Sequence, residues 1–302
     1  MKRRALTLVE LLVVLAILGT LVALLLPAVQ RARAALDQMR CLANLRTLGR
    51  ALGDYQAEKG FFPPGCSYSG PNEPFPHMGW QTRLLPYLEH ADLWQEAVAA
   101  FAQQKFFLHQ PPHRGLGLQL KEFICPSDPR LGGAVELPSY LGGTVLLGFT
   151  SYLGVLGVDQ TRNDGVLFLN SRIRPGDIRD GLSNTLLVGE RPPSARLNAG
   201  WWYAGWGMNK NGAGDMILGV AEFNLYDTSY SPGKYGCADG PYAFQRGQLN
   251  NQCSMFHFWS LHPGGANFLF ADGHARLVRY TAAPVMPALA TRAGKEPAPA
   301  LD

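Results

Sequence analysis

Four groups of residues could carry chemistry in this sequence. Glu10 is a lone carboxylate in an apolar run, and after it no charged residue appears until Arg31. In lipid such a carboxylate is costly, which marks it as having a task. His262 and Asp272-Gly273 close the chain's last strong segment. His and Asp together suggest a metal site or an acid–base pair, but catalysis needs a third partner and a pocket, and no nucleophile motif accompanies them. The plainer reading makes Asp272 and Gly273 a turn and His262 the cap of the loop leading into it. Trp201, Trp202 and Trp206 form the densest aromatic patch. If exposed they are candidate ligand-stacking residues; the reading with more weight buries them as core.

The five cysteines, Cys41, Cys66, Cys125, Cys237 and Cys253, lack paired CxxC spacing, which argues against a zinc ribbon. In an exported body, Cys237 with Cys253 and Cys41 with Cys125 are candidate disulfides, the second tying helix to sheet, with one cysteine left over. Asp159, Asp164, Asp177 and Asp180 are not spaced as a calcium loop. No catalytic residue, metal or cofactor is expected.

These groups need elements to hold them. At 302 residues, 47% hydrophobic and 17% charged, the chain can bury a sizeable core. A net charge of +4, much of it from Lys2, Arg3 and Arg4, gives no nucleic-acid surface. The run from Leu6 to Leu26, closed by Pro27, approaches the roughly 20 residues that span a bilayer. Beyond Pro27, Leu45, Leu48, Leu52 and Tyr55 recur at helical spacing, and Gly60 followed by Pro63-Pro64 ends the pattern. The spacing predicts one helix from about Leu6 to Lys59, kinked at Pro27. A second helical region covers residues 79–104, interrupted at Pro86. Short strands are expected at 151–157, 165–169 and 185–190, with loops over a sheet at 200–253. A two-residue type I′ turn at Asp272-Gly273 would pair Ala271 with His274, Leu269 with Arg276 and Asn267 with Val278. Phe268, Phe270, Ala275 and Leu277 would then share the buried face, with His274 and Arg276 on the wetter one. After Pro284 an Ala/Pro-rich tail is expected to fray.

Leu6-Thr7-Leu8-Val9-Glu10-Leu11-Leu12 resembles the prepilin-type signal of type IV pilins and type II secretion pseudopilins. The resemblance implies cleavage between Ala5 and Leu6 by a prepilin peptidase, which also methylates the new terminus. Glu10 becomes the fifth mature residue and Pro27 the twenty-second, both positions occupied alike in pilins. The family normally carries Gly before the cut, where this chain has Ala5, and Phe after it, where this chain has Leu6. Further segments, including Leu84-Leu85-Pro86-Tyr87-Leu88-Glu89, Phe123 to Asp128, Asp180 to Glu190 and His262 to Gly273, resemble the DUF1559 family, whose C-terminal motif is His, nine residues, then Asp-Gly.

The resemblance implies an α+β, pilin-like layout: a leader (1–5), a transmembrane half-helix (6–29), its exported half (30–60), an antiparallel β-rich head (61–283) and a flexible tail (284–302). It implies a structural subunit of a type II secretion or type IV pilus-like assembly. That subunit would cross the inner membrane once, N-terminus cytoplasmic and head exported. Its partners would be the peptidase/methyltransferase, membrane lipid, and other pilin-like subunits or itself. There Glu10 would pair with a neighbouring subunit's N-terminal amine. The alternative is a membrane-anchored module that binds polysaccharide or protein and never polymerises. A third reading, an envelope enzyme, requires a pocket with convergent polar groups.

Overall fold

The computed structural model describes residues 8–139, 141–225 and 236–296. Helix α1, Leu8–Lys59, runs 52 residues with Pro27 inside it, a length of roughly 78 Å at 1.5 Å per residue. It ends where Gly60, at φ +82°, donates its N–H to the Gln56 carbonyl. Its first half is exposed: Leu8 to Leu26 presents a surface that is apolar except at Glu10 and Thr20. The later half buries one stripe, Cys41, Leu45, Leu48, Leu52 and Tyr55, at the three- and four-residue spacing of one helix face.

That stripe lies on a five-stranded sheet. Its strands are β3 (Tyr152–Gly157), β4 (Leu186–Glu190), β5 (Ile217–Gly219), β8 (Gly265–Phe270) and β9 (Ala275–Arg279), in the order β5-β3-β4-β8-β9. All neighbours are antiparallel except β3 and β5. Two small ribbons flank the sheet: β1 (Val135–Pro138) with β2 (Thr144–Leu147), and β6 (Ala221–Glu222) with β7 (Tyr242–Ala243). The segment 79–104 folds as α2 (Trp80–Arg83), a short 3-10 turn containing Pro86, and α3 (Ala91–Gln103). The expected strand at 165–169 is irregular chain, held by hydrogen bonds to Leu156 and Val155.

The closing hairpin sits where expected, but its register is shifted by one. Leu269 pairs with Ala275, Phe268 with Arg276 and Ala266 with Val278. Ala271 joins Asp272 and Gly273 in a three-residue loop. Only Gly273 takes positive φ, +91°, as in a type I turn followed by a bulge residue. Two sets of bonds fix this choice. The Asp272 carboxylate accepts the His274 N–H at 3.0 Å, while the N–H groups of Ala271 and Asp272 donate to Thr185 and Leu182. Strand β8 is buried on both faces because α1 covers one of them. Arg276 and Leu277 are both half-buried, and of the two residues expected on the wetter face only His274 is exposed.

The expected frayed tail is also corrected in its first part. Residues 286–290 form α4, with Met286, Leu289 and Ala290 buried. Arg292 then donates to the carbonyls of Asn163 and Gly165.

Candidate functional site

Two regions could do something beyond holding the fold. The first is the exposed half of α1. Leu8 to Leu26 spans nineteen residues whose apolar side chains, among the described residues, are exposed rather than packed in the head. At roughly 1.5 Å per residue this covers about the hydrocarbon thickness of a bilayer. Glu10 lies in the helix's first turn. The cleavage residues Ala5 and Leu6 lie outside the described residues.

The second region is buried. Cys41 sits on the α1 stripe. Asn44, one turn along, donates its side-chain amide to the Lys121 and Ile124 carbonyls at 3.2 and 3.0 Å, which brings α1 against the loop holding Cys125. The Cys125 N–H donates to Ser151 Oγ at 3.0 Å. Glu190 ends β4, opposite Tyr152. Its carboxylate accepts the Asn267 N–H at 2.7 Å and the Asn267 side-chain amide at 3.1 Å. His262 is carried over the end of β4 by a tight loop: Trp259 N–H donates to the Glu190 carbonyl, and His262 N–H to Ser260 Oγ.

The result is a four-residue constellation. Cys41 Sγ and Cys125 Sγ are 2.7 Å apart. Cys125 Sγ lies 3.5 Å from His262 Nε2, which lies 3.3 Å from Glu190 Oε1. One donor atom from each residue falls within 4.8 Å of every other, and all four residues are buried. Burial pulls the His262 imidazole down. Its hydrogen bonds to Cys125 and Glu190, and their charges, outweigh this and push it up to about 10. The hydrogen bond with Cys41 drives Cys125 down to about 7, while the same contact and burial drive Cys41 up. Chemically this is a closed set of two sulfurs, one imidazole nitrogen and one carboxylate, suited to holding a cation or to covalent sulfur chemistry.

The structure therefore separates the residues of the His-to-Asp-Gly segment. The His262 side chain does not cap its loop; it points to Glu190 and Cys125. Asp272 instead meets the His274 ring at 2.6 Å, in the turn. Sequence reading missed Glu190, taken simply as the end of a strand. Its one signal was a charged residue closing an apolar strand, Leu186-Leu187-Val188-Gly189-Glu190. Of the candidate disulfides, Cys237–Cys253 is bonded, whereas Cys41 and Cys125 are adjacent free thiols. Cys66 is also free and buried.

The tryptophans offer no stacking platform. Trp202 is fully buried and donates to the Leu118 carbonyl at 2.8 Å. Trp201 is buried, and Trp206 is half-buried against Phe106 and Phe107. The four aspartates each fix a local turn or bind a neighbouring loop. Asp164 accepts the Val158 N–H, and Asp180 those of Gly294 and Lys295.

A helix half buried in a β-rich head and half bare and apolar is the layout of a prepilin-like protein. The sequence comparison agrees: residues 1–26 match the prokaryotic N-terminal methylation motif. Residues 30–284 match the family described as a protein of unknown function, DUF1559, and the chain belongs to that family. No curated protein and no solved structure matches it. The motif implies processing by a prepilin peptidase, and with the apolar helix it points to membrane anchoring.

Proposed function

We propose that this protein is a pilin- or pseudopilin-like structural subunit of a type II secretion or type IV pilus-like envelope assembly, with no catalysis of its own. One observation carries this reading: the division of α1 into a bare apolar half and a half docked on the head. A contiguous exposed apolar surface of that extent is unstable in water. Lipid and the like helices of neighbouring subunits both cover it. In lipid, Glu10 requires a partner, and an ammonium at a neighbour's processed terminus supplies one while penalising other registers. Lys2, Arg3 and Arg4 before the apolar run favour a cytoplasmic N-terminus and an exported head, in the inner membrane.

The mass of the mature N-terminus tests processing: Met1–Ala5 lost and Leu6 methylated is expected, and Met1 intact in the membrane-embedded pool contradicts it. Replacing Ala5 by Gly should raise the processed fraction. Cysteines placed at Leu15 or Leu18 should crosslink two copies in native membranes. A processed, exported protein whose helices never crosslink or form filaments would favour the anchored binding module instead.

A further inference from the structure

We propose that Cys41, Cys125, Glu190 and His262 form a structural zinc site that locks the exported half of α1 to the head. The four donors come from α1, a loop, the end of β4 and the loop entering β8, separated by up to 221 positions between Cys41 and His262. Nothing local in the chain requires them to converge. They do so at one buried point, with one donor atom each.

Two of the distances suit a tetrahedral ion. With Zn–S near 2.3 Å and Zn–N and Zn–O near 2.0–2.1 Å, tetrahedral angles place sulfur and nitrogen roughly 3.5 Å apart, and nitrogen and oxygen roughly 3.3 Å apart. The observed Cys125 Sγ–His262 Nε2 and His262 Nε2–Glu190 Oε1 separations are 3.5 and 3.3 Å. The two sulfurs, at 2.7 Å, are closer than the roughly 3.7 Å expected across one zinc and farther than the roughly 2.0 Å of a disulfide. The other two residues decide between these. A disulfide would use only the sulfurs and would leave the Glu190–His262 pair, 3.3 Å apart, bonded to neither. Zinc uses all four donors. Binding displaces every proton held on the two sulfurs and on His262 Nε2, leaving two thiolates, a neutral imidazole and a carboxylate, so the site carries a net single negative charge. The outer contacts fit too: both Asn267 donors hold the Glu190 carboxylate in place, the kind of supporting shell that orients metal ligands. Two thiolates, an imidazole and a carboxylate in a closed tetrahedron select zinc over the harder magnesium or calcium.

The test uses the full chain, extracted from membranes in mild detergent without chelator. Elemental analysis should find about one zinc per chain, lost in Cys125→Ser and in His262→Gln. Asn267→Ala should weaken the binding roughly 10- to 100-fold while leaving the donor set intact. Should the ligand variants fail to fold, exchange of the wild-type chain with Co²⁺ decides. A tetrahedral thiolate site gives an intense visible band and a sulfur-to-cobalt charge-transfer band in the near ultraviolet. Metal-free protein whose Cys41 and Cys125 peptides emerge disulfide-linked would overturn the proposal. So would cobalt-treated protein without a charge-transfer band.

Discussion

The two halves of α1 share one continuous helix and one apolar character, yet they do opposite work. Leu8 to Leu26 keeps its apolar side chains bare on every side, with Leu8 75% and Leu24 69% exposed. Cys41 to Tyr55 keeps only one stripe apolar and hides it, with Leu45, Leu48 and Leu52 at 0%. Hydrophobicity alone therefore does not say what a helix binds. Apolar all round means a medium, lipid or a bundle; apolar on one stripe means a single folded partner. The difference predicts that changes in the second half cost stability of the head, and that changes in the first cost assembly alone.

The largest effect is expected at the docked stripe. Leu45→Ala should destabilise the head by about 2–5 kcal/mol, through lost burial and the cavity left behind, as read by thermal unfolding in detergent. Gly49→Val should follow at about 1–3 kcal/mol from overpacking. A Cβ there would fall 2.8 Å from Leu269 Cδ1 and 3.3 Å from the Gly273 carbonyl, so α1 could not keep its seat on the hairpin. Gly273→Val should cost about 1–2 kcal/mol. Its Cβ would meet nothing within 4 Å, so the loss is purely that of φ +91°; Gly273→Asn should cost less. Leu15→Ala, in the bare half, should shift the melting temperature hardly at all, within about 0.5 kcal/mol. If Leu15→Ala melted the head as Leu45→Ala does, the comparison would be broken.

Acid provides a test confined to the head. Burial pulls His77 and His257 down to about 4, with Lys210 adding at His77 and Arg191 at His257. In the unfolded chain both titrate near 6.5, so the unfolded state binds protons first. Stability is therefore lost as pH falls from about 6.5 towards 4. Asp215 acts with the opposite sign. Burial pushes it up to about 6, against the hydrogen bonds from Gly207 and Gly200, so it returns stability as pH falls through that value. Asp215→Asn should steepen the acid loss, and His257→Gln should flatten it, both read as melting temperature against pH.

Much of the architecture was legible in the sequence because it rests on local rules. The period of Leu45, Leu48, Leu52 and Tyr55, the stop at Gly60 and the strands around Tyr152 and Leu186 all follow from neighbours in the chain. The hairpin shows where that reading stops. Asp-Gly marks the turn correctly, but the loop length was set by bonds from Ala271 and Asp272 to Thr185 and Leu182, some ninety residues earlier. The buried constellation was less legible still. Cys41 and Cys125 stood out only as a candidate pair, His262 only through its spacing to Asp272, and Glu190 not at all. Their meeting point is a product of sheet order, with β4 and β8 adjacent, and no spacing rule encodes it. The tail misled for a related reason: Met286 and Leu289 look sparse in an Ala/Pro-rich stretch, yet they suffice to seat α4 on the sheet.

The unbroken course of α1 through Pro27 and residues 28–40, exposed but for half-buried Asp37 and Gln38, has a mechanical consequence. These thirteen residues hold the docked stripe roughly 20 Å beyond the apolar segment at 1.5 Å per residue. With no break in the helix, this spacer works as a drive shaft. Sliding the apolar segment by one residue against a neighbour advances the head about 1.5 Å and turns it about 100°. The choice of neighbour contact at Glu10 would therefore set the compass bearing of a surface some 60 Å away.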